Sequence, residues 1–362
     1  MEIGIVGLPV SGKTTLFSTL TGQDLTTKQG GGKIEVHRGV VKVPDSRLDA
    51  LTEIFQPKKK VNATIEYIEV GGIEKDAAKS RGIDPQVLQV LKTTDALCLT
   101  VRAFENEYYP HPEGSVDPRR DFTTLETEFL LSDLQIVENR VGRLEKQVMK
   151  AKDEKSVKEL ELLKRCQAHL EQERPLRELD FSDEEELMLR GFQFLTAKPL
   201  VVVLNIDEQD LGKEDEILKE FEDVAAQKNV VVIALSARVE QEISQLPPDE
   251  ARLFLEDLGI QEPALDKLIR ASFNLLGLIS FFTVGEDECR AWTIRKGTNA
   301  QKAAGAIHSD LERGFIRAEV VHFDDFMKYK SLSACREHGV LRLEGKDYIV
   351  QDGDIITVRF NV

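Results

Sequence analysis

Residues Gly7-Leu8-Pro9-Val10-Ser11-Gly12-Lys13-Thr14 match the pattern Gly-x-x-x-x-Gly-Lys-Thr without a gap. The apolar run Ile3–Val6 before them reads as a buried parallel strand, and Thr14–Leu20 after them reads as a helix. Strand, glycine-rich turn and helix together form a phosphate-binding loop, which commits the N-terminal part to a nucleotide-binding α/β sheet. The chemistry explains the residue types. Gly7, Leu8, Pro9, Val10, Ser11 and Gly12 are expected to wrap backbone N–H groups around phosphates, with the helix dipole behind them. Lys13 is expected to reach the β- and γ-phosphates, Thr14 to ligate Mg²⁺ through its hydroxyl, and Thr15 to complete the contact set. We therefore expect a nucleoside triphosphate as ligand. The competing reading, a chance glycine-rich turn before a helix, does not account for both glycines, the lysine and the threonine together.

At 362 residues the chain has room for two or three cores. Its formal net charge of −16 argues against nonspecific coating of nucleic acid. A local basic patch remains open to a partner: Lys146, Lys150, Lys152, Lys155 and Lys158 fall in one helical stretch. The plainer reading of that patch is a solvated helix face. Cys98, Cys166, Cys289 and Cys335 are far apart and form no Cys-x-x-Cys pair. We expect no zinc site, no membrane span, no secretory leader and a reducing, cytosolic setting. Cys98, inside the apolar run Ala96–Val101, reads as a small core residue.

Six β-rich runs punctuate the first 235 residues: Ile3–Val6, Gly39–Val43, Thr64–Glu69, Ala96–Val101, Leu200–Leu204 and Val230–Leu235. Helical patterns separate many of them, as in a doubly wound sheet. Between the fourth and fifth runs, Leu130, Leu134, Val137, Val141, Leu144 and Val148 alternate by four and three, the seam of a coiled coil. A polar break at Lys150–Ser156 and a second apolar stripe of Val157, Leu160, Leu163 and Leu170 predict an antiparallel hairpin ended by Pro175. Ser182 and Glu185 form a capping box for a further helix to about Leu195. From about Ile279 a small module begins. Strands are expected at Ser280–Val284, Cys289–Ile294, Val340–Leu343, Lys346–Val350 and Ile355–Phe360, with a helix at Ala300–Leu311. This order suggests a β-grasp, ubiquitin-like binding module.

Loops that follow parallel strands are where chemistry is sought. After Leu200–Leu204 comes Asn205-Ile206-Asp207-Glu208, where guanine-nucleotide switch proteins carry Asn-Lys-x-Asp. Ile206 stands for the Lys and the longer Glu208 for the Asp that accepts guanine's two donors. Ser236-Ala237 follows the next strand, at the place of the loop that closes over the base. The order fits a GTPase-like fold with an altered base pocket.

The chain resembles the YchF, or Obg-like ATPase, family of P-loop NTPases. The resemblance is carried by GLPVSGKTTLFSTLTG at 7–22, GSVDPRRDFTTLETEFLLSDLQIVENRVGRLEK at 114–146 and KPLVVVLNIDE at 198–208. It continues through RAWTIRKGTNAQKAAGAIHSDLERGFIRAEV at 290–320 and LEGKDYIVQDGDIITVRFNV at 343–362. It implies a G domain over residues 1–127 and 196–278, an inserted antiparallel coiled-coil domain over 128–195 and a C-terminal TGS β-grasp domain over 279–362. It also implies ATP, or GTP as an alternative substrate, hydrolysed with Mg²⁺, and a ribosome or ribosomal subunit as partner. No membrane and no sequence-specific DNA are expected. The chain departs from the family pattern where catalysis is affected. Glu69 stands where the family has an Asp that holds Mg²⁺ through water, and Lys33 occupies the place of a switch Thr; Ile73 follows Gly72 where classical GTPases have a Gln, a difference the family shares. His111, in Tyr109-Pro110-His111-Pro112-Glu113-Gly114, matches the family His-x-Glu-Gly and could place water; its other reading is a surface loop histidine. Two function classes follow: a slow ATPase switch with Asn205 at the base, or a nucleotide-sensing adaptor whose hydrolysis is vestigial.

Overall fold

A computed structural model describes residues 1–25, 35–71, 83–150 and 153–361. Lys33, Ile73, Gly72 and Lys152 lie outside the described residues. From the N-terminus the elements are β1 (Glu2–Val6), α1 (Lys13–Thr21), β2 (Glu35–Lys42), α2 (Ser46–Phe55), β3 (Lys59–Val61), β4 (Thr64–Gly71), α3 (Pro85–Thr93) and β5 (Ala96–Ala103). There follow α4 (Pro118–Lys150), α5 (Glu154–Leu170), α6 (Asp183–Leu189), β6 (Leu200–Ile206), α7 (Glu214–Lys219), α8 (Glu222–Ala225), β7 (Val230–Leu235), α9 (Ala237–Gln245), α10 (Pro248–Asp257) and α11 (Ala264–Leu275). The C-terminal elements are β8 (Leu278–Thr283), β9 (Glu288–Arg295), α12 (Ala300–Ile307), α13 (Ser309–Arg313), β10 (Phe315–His322), α14 (Phe323–Tyr329), α15 (Leu332–Glu337), β11 (Arg342–Glu344) and β12 (Asp354–Phe360). Two compact units form: Met1–Gly39 with Glu66–Leu265, and Val40–Ile65 with Asp266–Val362.

The first sheet has the order β2-β4-β1-β5-β6-β7, and β1, β4, β5, β6 and β7 pair in parallel. Buried parallel strands carry continuous apolar runs because both faces are covered. Leu200–Ile206 is buried at every position, and Ala96–Arg102 likewise. Cys98 is fully buried, and burial pushes its thiol up to about 12.

One helix connects this core to the hairpin. Phe122, Leu125 and Phe129 on the first turns of α4 pack with Leu99, Val101, Val202 and Leu204 of the sheet. Phe122 meets Phe221 edge-on at 5.9 Å. Further along, Leu130, Val137, Val141 and Leu144 pack with Leu162, Leu163, Cys166 and Leu170 of α5. The four–three spacing of the seam thus buries itself between two helices of one chain. Arg140 clamps Glu159 across it through two hydrogen bonds of 2.7 and 2.8 Å. Asp133 ties the hairpin's base, accepting from the Leu195 and Thr196 N–H groups and the Thr196 hydroxyl. Burial pushes its carboxyl up to about 6 even so.

The second sheet has the order β11-β10-β12-β8-β9-β3. Its centre pairs β12 with β8 in parallel, with antiparallel β10 and β9 outside them. First and last strands side by side, with a helix packed on one face through Ala300 and Ala303, is the β-grasp arrangement. Three local expectations change. The capping box at Ser182 and Glu185 forms, but its helix stops at Leu189, and Gln193 adopts a left-handed φ of 53°. The helix expected over Ala300–Leu311 breaks at His308, whose extended backbone and ring cap a second short helix. Lys346–Val350 is no strand: it folds into a turn, with Tyr348 N–H bonded to the Gly345 carbonyl and only an isolated bridge at Ile349. Among the described residues no helix is long and apolar enough to cross a membrane.

Candidate nucleotide site

The residues singled out in sequence gather at the C-terminal ends of the parallel strands. The phosphate loop follows β1, Glu69 lies in the last residues of β4, Asn205 lies next to the last residue of β6, and Ser236 follows β7. Close packing explains the loop's composition. A Cβ on Gly7 would lie 2.4 Å from the Thr100 carbonyl oxygen and 2.6 Å from Ser11 Oγ. One on Gly12 would lie 2.1 Å from Asn205 Nδ2, and Gly12 has a φ of +89°. Both positions need glycine. Val10 takes the left-handed region at φ 62° despite its branched Cβ, a conformation that costs about 1–3 kcal/mol. Leu8 packs against the sheet core, Pro9 is half-buried beside it, and the Ser11 N–H bonds the Leu8 carbonyl at 3.3 Å. Gly12 precedes α1 and gives it no side-chain cap. Lys13 and Thr15 are half-buried and Thr14 is exposed, while Leu16, Phe17 and Leu20 of the same helix enter the core.

Asn205 ties two loops together. Its side chain is 5% exposed, donates to the Ser11 carbonyl at 3.0 Å and accepts from the Ala237 N–H at 2.9 Å. Ser236 caps α9 by accepting from the Val239 N–H, and Ala237 is buried. Ile206 is 2% exposed within β6, whereas Glu208 is exposed in a short 3-10 turn. Ile206 is thus turned into the core, and the polar groups at this position are Glu208 and Asn205.

Two residues distant in sequence converge at the loop's exit. The Thr14 hydroxyl donates to Glu69 Oε1 at 2.6 Å, and Glu69 is 1% exposed. A hydroxyl on the phosphate-loop helix beside a carboxylate at the end of a strand is a donor set that suits a hard, oxygen-binding cation sharing its shell with phosphate. Among the described residues no group of three or more His, Cys, Asp or Glu could hold a metal ion.

His111 is not a surface residue. Its side chain is 2% exposed, with Nε2 2.7 Å from Asp121 Oδ2. Its Nδ1 accepts from the Glu113 N–H at 3.1 Å, so Nε2 carries the proton and donates to Asp121. Arg120 holds the other carboxylate oxygen, Oδ1, at 3.0 Å through Nε and 2.8 Å through Nη2. Asp121 was not singled out in sequence, where its only signal is a charge inside the otherwise apolar face of the first helical turn. Arg102 was missed too. It is 1% exposed at the end of β5, level with Asn205 in the strand register.

Comparison with known proteins places the chain in a family. A family model for a 50S ribosome-binding GTPase matches residues 2–140, and the model YchF-GTPase_C, described as a protein of unknown function, matches residues 278–361. The chain is 42% identical to the ribosome-binding ATPase YchF of Bacillus subtilis, covering all of both chains. It is 41% identical to that of Escherichia coli O157:H7, covering 100% of this chain and 99% of the relative. The structure of the Schizosaccharomyces pombe YchF GTPase superposes with a TM-score of 0.85 at 32% identity, over 99% of this chain and 97% of that one. Matched in sequence over its whole length and in fold over nearly all of it, this chain belongs to the YchF family.

Proposed function

We propose that the chain is a cytosolic, ribosome-binding P-loop ATPase that uses Mg²⁺ and accepts GTP as an alternative substrate. The observation that carries the reading is the full-length similarity, above 40% identity, to ribosome-binding ATPases from several bacteria. The site supports it with named roles. The backbone of Gly7 to Gly12 cradles the phosphates, Lys13 neutralises the γ-phosphate, and Thr15 lies in the uncapped first turn. Mg²⁺ would be held by Thr14 directly and by Glu69 through water, and it would neutralise charge on the phosphate oxygens. Asn205 fixes the phosphate loop to the Ser236-Ala237 loop and presents its remaining amide hydrogen to the base. His111 places water once it has left Asp121. The inserted hairpin and the C-terminal module, of TGS type, offer the surfaces for the ribosome.

A second reading, a nucleotide-sensing adaptor with vestigial hydrolysis, draws on one observation: both His111 ring nitrogens are engaged within the protein. Base choice is a separate test of the site. A site that lacks the paired acceptor of Asn-Lys-x-Asp has little to offer guanine's two donors, and unpaired polar groups decide selectivity. Parallel calorimetric titrations with Mg·ATP and Mg·GTP are expected to give ATP the equal or higher affinity. A GTP preference above about a hundredfold, about 2.7 kcal/mol, would contradict the reading and make Glu208 a working substitute for the Asp.

A further inference from the structure

The inserted hairpin sorts its own cations. Several are paired within it: Arg140 with Glu159 at 2.7 Å, Lys164 with Glu145 at 2.7 Å, and Arg165 with Glu185 at 3.0 Å. Of the basic patch expected from sequence, Lys158 lies 3.5 Å from both Glu154 and Glu184, and Lys155 lies in the first turn of α5. Lys146 and Lys150 stand apart from these. With Arg143 they are exposed and have no carboxylate partner among the described residues. Their spacing is that of one helix face, i, i+3 and i+7, turned away from Val137, Val141 and Leu144, which are buried against α5. Gln135 and Asn139 continue the same line toward the sheet, both exposed and both uncharged. The line from Gln135 to Lys150 thus carries cations and amides and no acid, in a chain with 64 acidic and 48 basic residues. The acids of these turns, Glu138 and Glu145, fall off it.

Distance protects this charge. Phe129 is the last residue of α4 in the sheet core, and Lys146 stands about 25 Å further along the helix, at about 1.5 Å per residue. That is more than two Debye lengths of about 8 Å at physiological salt. Acidic groups around the sheet are therefore screened from the line, and the net charge of −16 does not govern what it meets. We infer that this outward line of α4 is an RNA-docking surface that grips the phosphate backbone through Arg143, Lys146 and Lys150. The inference rests on the reading of the chain as ribosome-binding, and gives that reading a surface and a chemistry. Cations in a row along a rod suit a backbone of repeated negative charge, and arginine and lysine hold phosphate without apolar help. A protein partner would use an apolar anchor at the centre of its contact. The line holds none, and Met149, 85% exposed, stands alone at its flank.

The test compares the full-length protein with the triple variant Arg143→Gln/Lys146→Gln/Lys150→Gln. Lys164→Gln, which removes a cation already paired with Glu145, is the control. Affinity for purified ribosomes and, separately, for protein-free ribosomal RNA is measured against salt concentration. Each phosphate contact adds about 0.7–0.9 to the slope of log affinity against log salt, through counter-ion release. The triple variant is expected to lose about 2 or more of that slope with both probes, and at least about tenfold in affinity at low salt. Arg143→Lys/Lys146→Arg/Lys150→Arg and the Lys164→Gln control are expected to bind as the unaltered protein does. A thermal melt of the triple variant keeps loss of fold out of the comparison, and little change is expected because all three side chains are exposed. Unchanged slope and affinity in the triple variant would overturn the inference and return the face to solvent. A loss with ribosomes and none with RNA would overturn it too, by making the partner a ribosomal protein. An unaltered protein that binds the RNA with the full slope but no ribosome would refute the ribosome reading while the inference stands; one that binds neither would refute both.

Discussion

Lys13→Ala is expected to cut ATP affinity by more than about a hundredfold, about 2.7 kcal/mol, in a protein that remains folded. The size follows from position. Lys13 opens α1 at its uncapped end, where the backbone already gathers N–H groups, and it supplies the only full positive charge in the loop sequence. On the proposed reading that half-buried charge meets the triphosphate, and a charge-assisted contact to phosphate is among the strongest a side chain makes. Folding is spared because α1 packs through Leu16, Phe17 and Leu20, not Lys13. Alanine also favours helix at that position. Calorimetric titration beside a thermal melt checks both halves. Unchanged affinity in a folded variant would remove the phosphate loop from nucleotide binding.

His111→Ala is expected to lower ribosome-stimulated hydrolysis by roughly 10²–10⁴, the range of a positioned acid–base group, with ATP affinity little changed. The structure sharpens the reason why hydrolysis should need a partner. The imidazole has no nitrogen left for water: Nε2–H serves Asp121, and Nδ1 accepts from Glu113. Leaving Asp121 breaks a buried, charge-assisted hydrogen bond, which is a barrier that binding energy from elsewhere must offset. A ribosome that draws out the loop holding Pro110 and Pro112 would supply it. The measurement is kcat with saturating ribosomes for both proteins, with nucleotide affinity measured alongside. Equal rates would return His111 to a purely structural role in its hydrogen bond with Asp121.

Much of this fold is legible in the chain, for physical reasons that also mark where legibility stops. Strands buried on both faces announce themselves as apolar runs, and Leu200–Ile206 is such a run. The seam of α4 was readable because a helix pair that buries its own stripe needs a strict period. β10 escaped notice because a bulge between Phe315 and Arg317 breaks its alternation just where the pattern should begin. β3, Lys-Lys-Val, carries no apolar signal; backbone pairing with β9 makes it a strand. The site divides the same way. Gly7, Gly12 and Lys13 belong to a contiguous motif, so spacing exposes them. The Thr14–Glu69 contact spans 55 positions and that of His111 with Asp121 spans 10, and neither has a local period to betray it. Arg102 is least visible of all, a buried charge near the end of an apolar strand. Lys33, which departs from the family's switch Thr, and Ile73, apolar as in the family, lie outside the described residues.

The central claim is that bound ATP is turned over, slowly alone and faster on the ribosome. Single-turnover hydrolysis, with protein in excess over labelled Mg·ATP, tests it without interference from product release. The account predicts a slow single phase in isolation, at or below the order of 10⁻⁴ s⁻¹ of an unassisted P-loop switch, and a clear acceleration when ribosomes are added. ATP that stays bound and intact in both conditions would contradict it and make the chain a nucleotide-sensing adaptor.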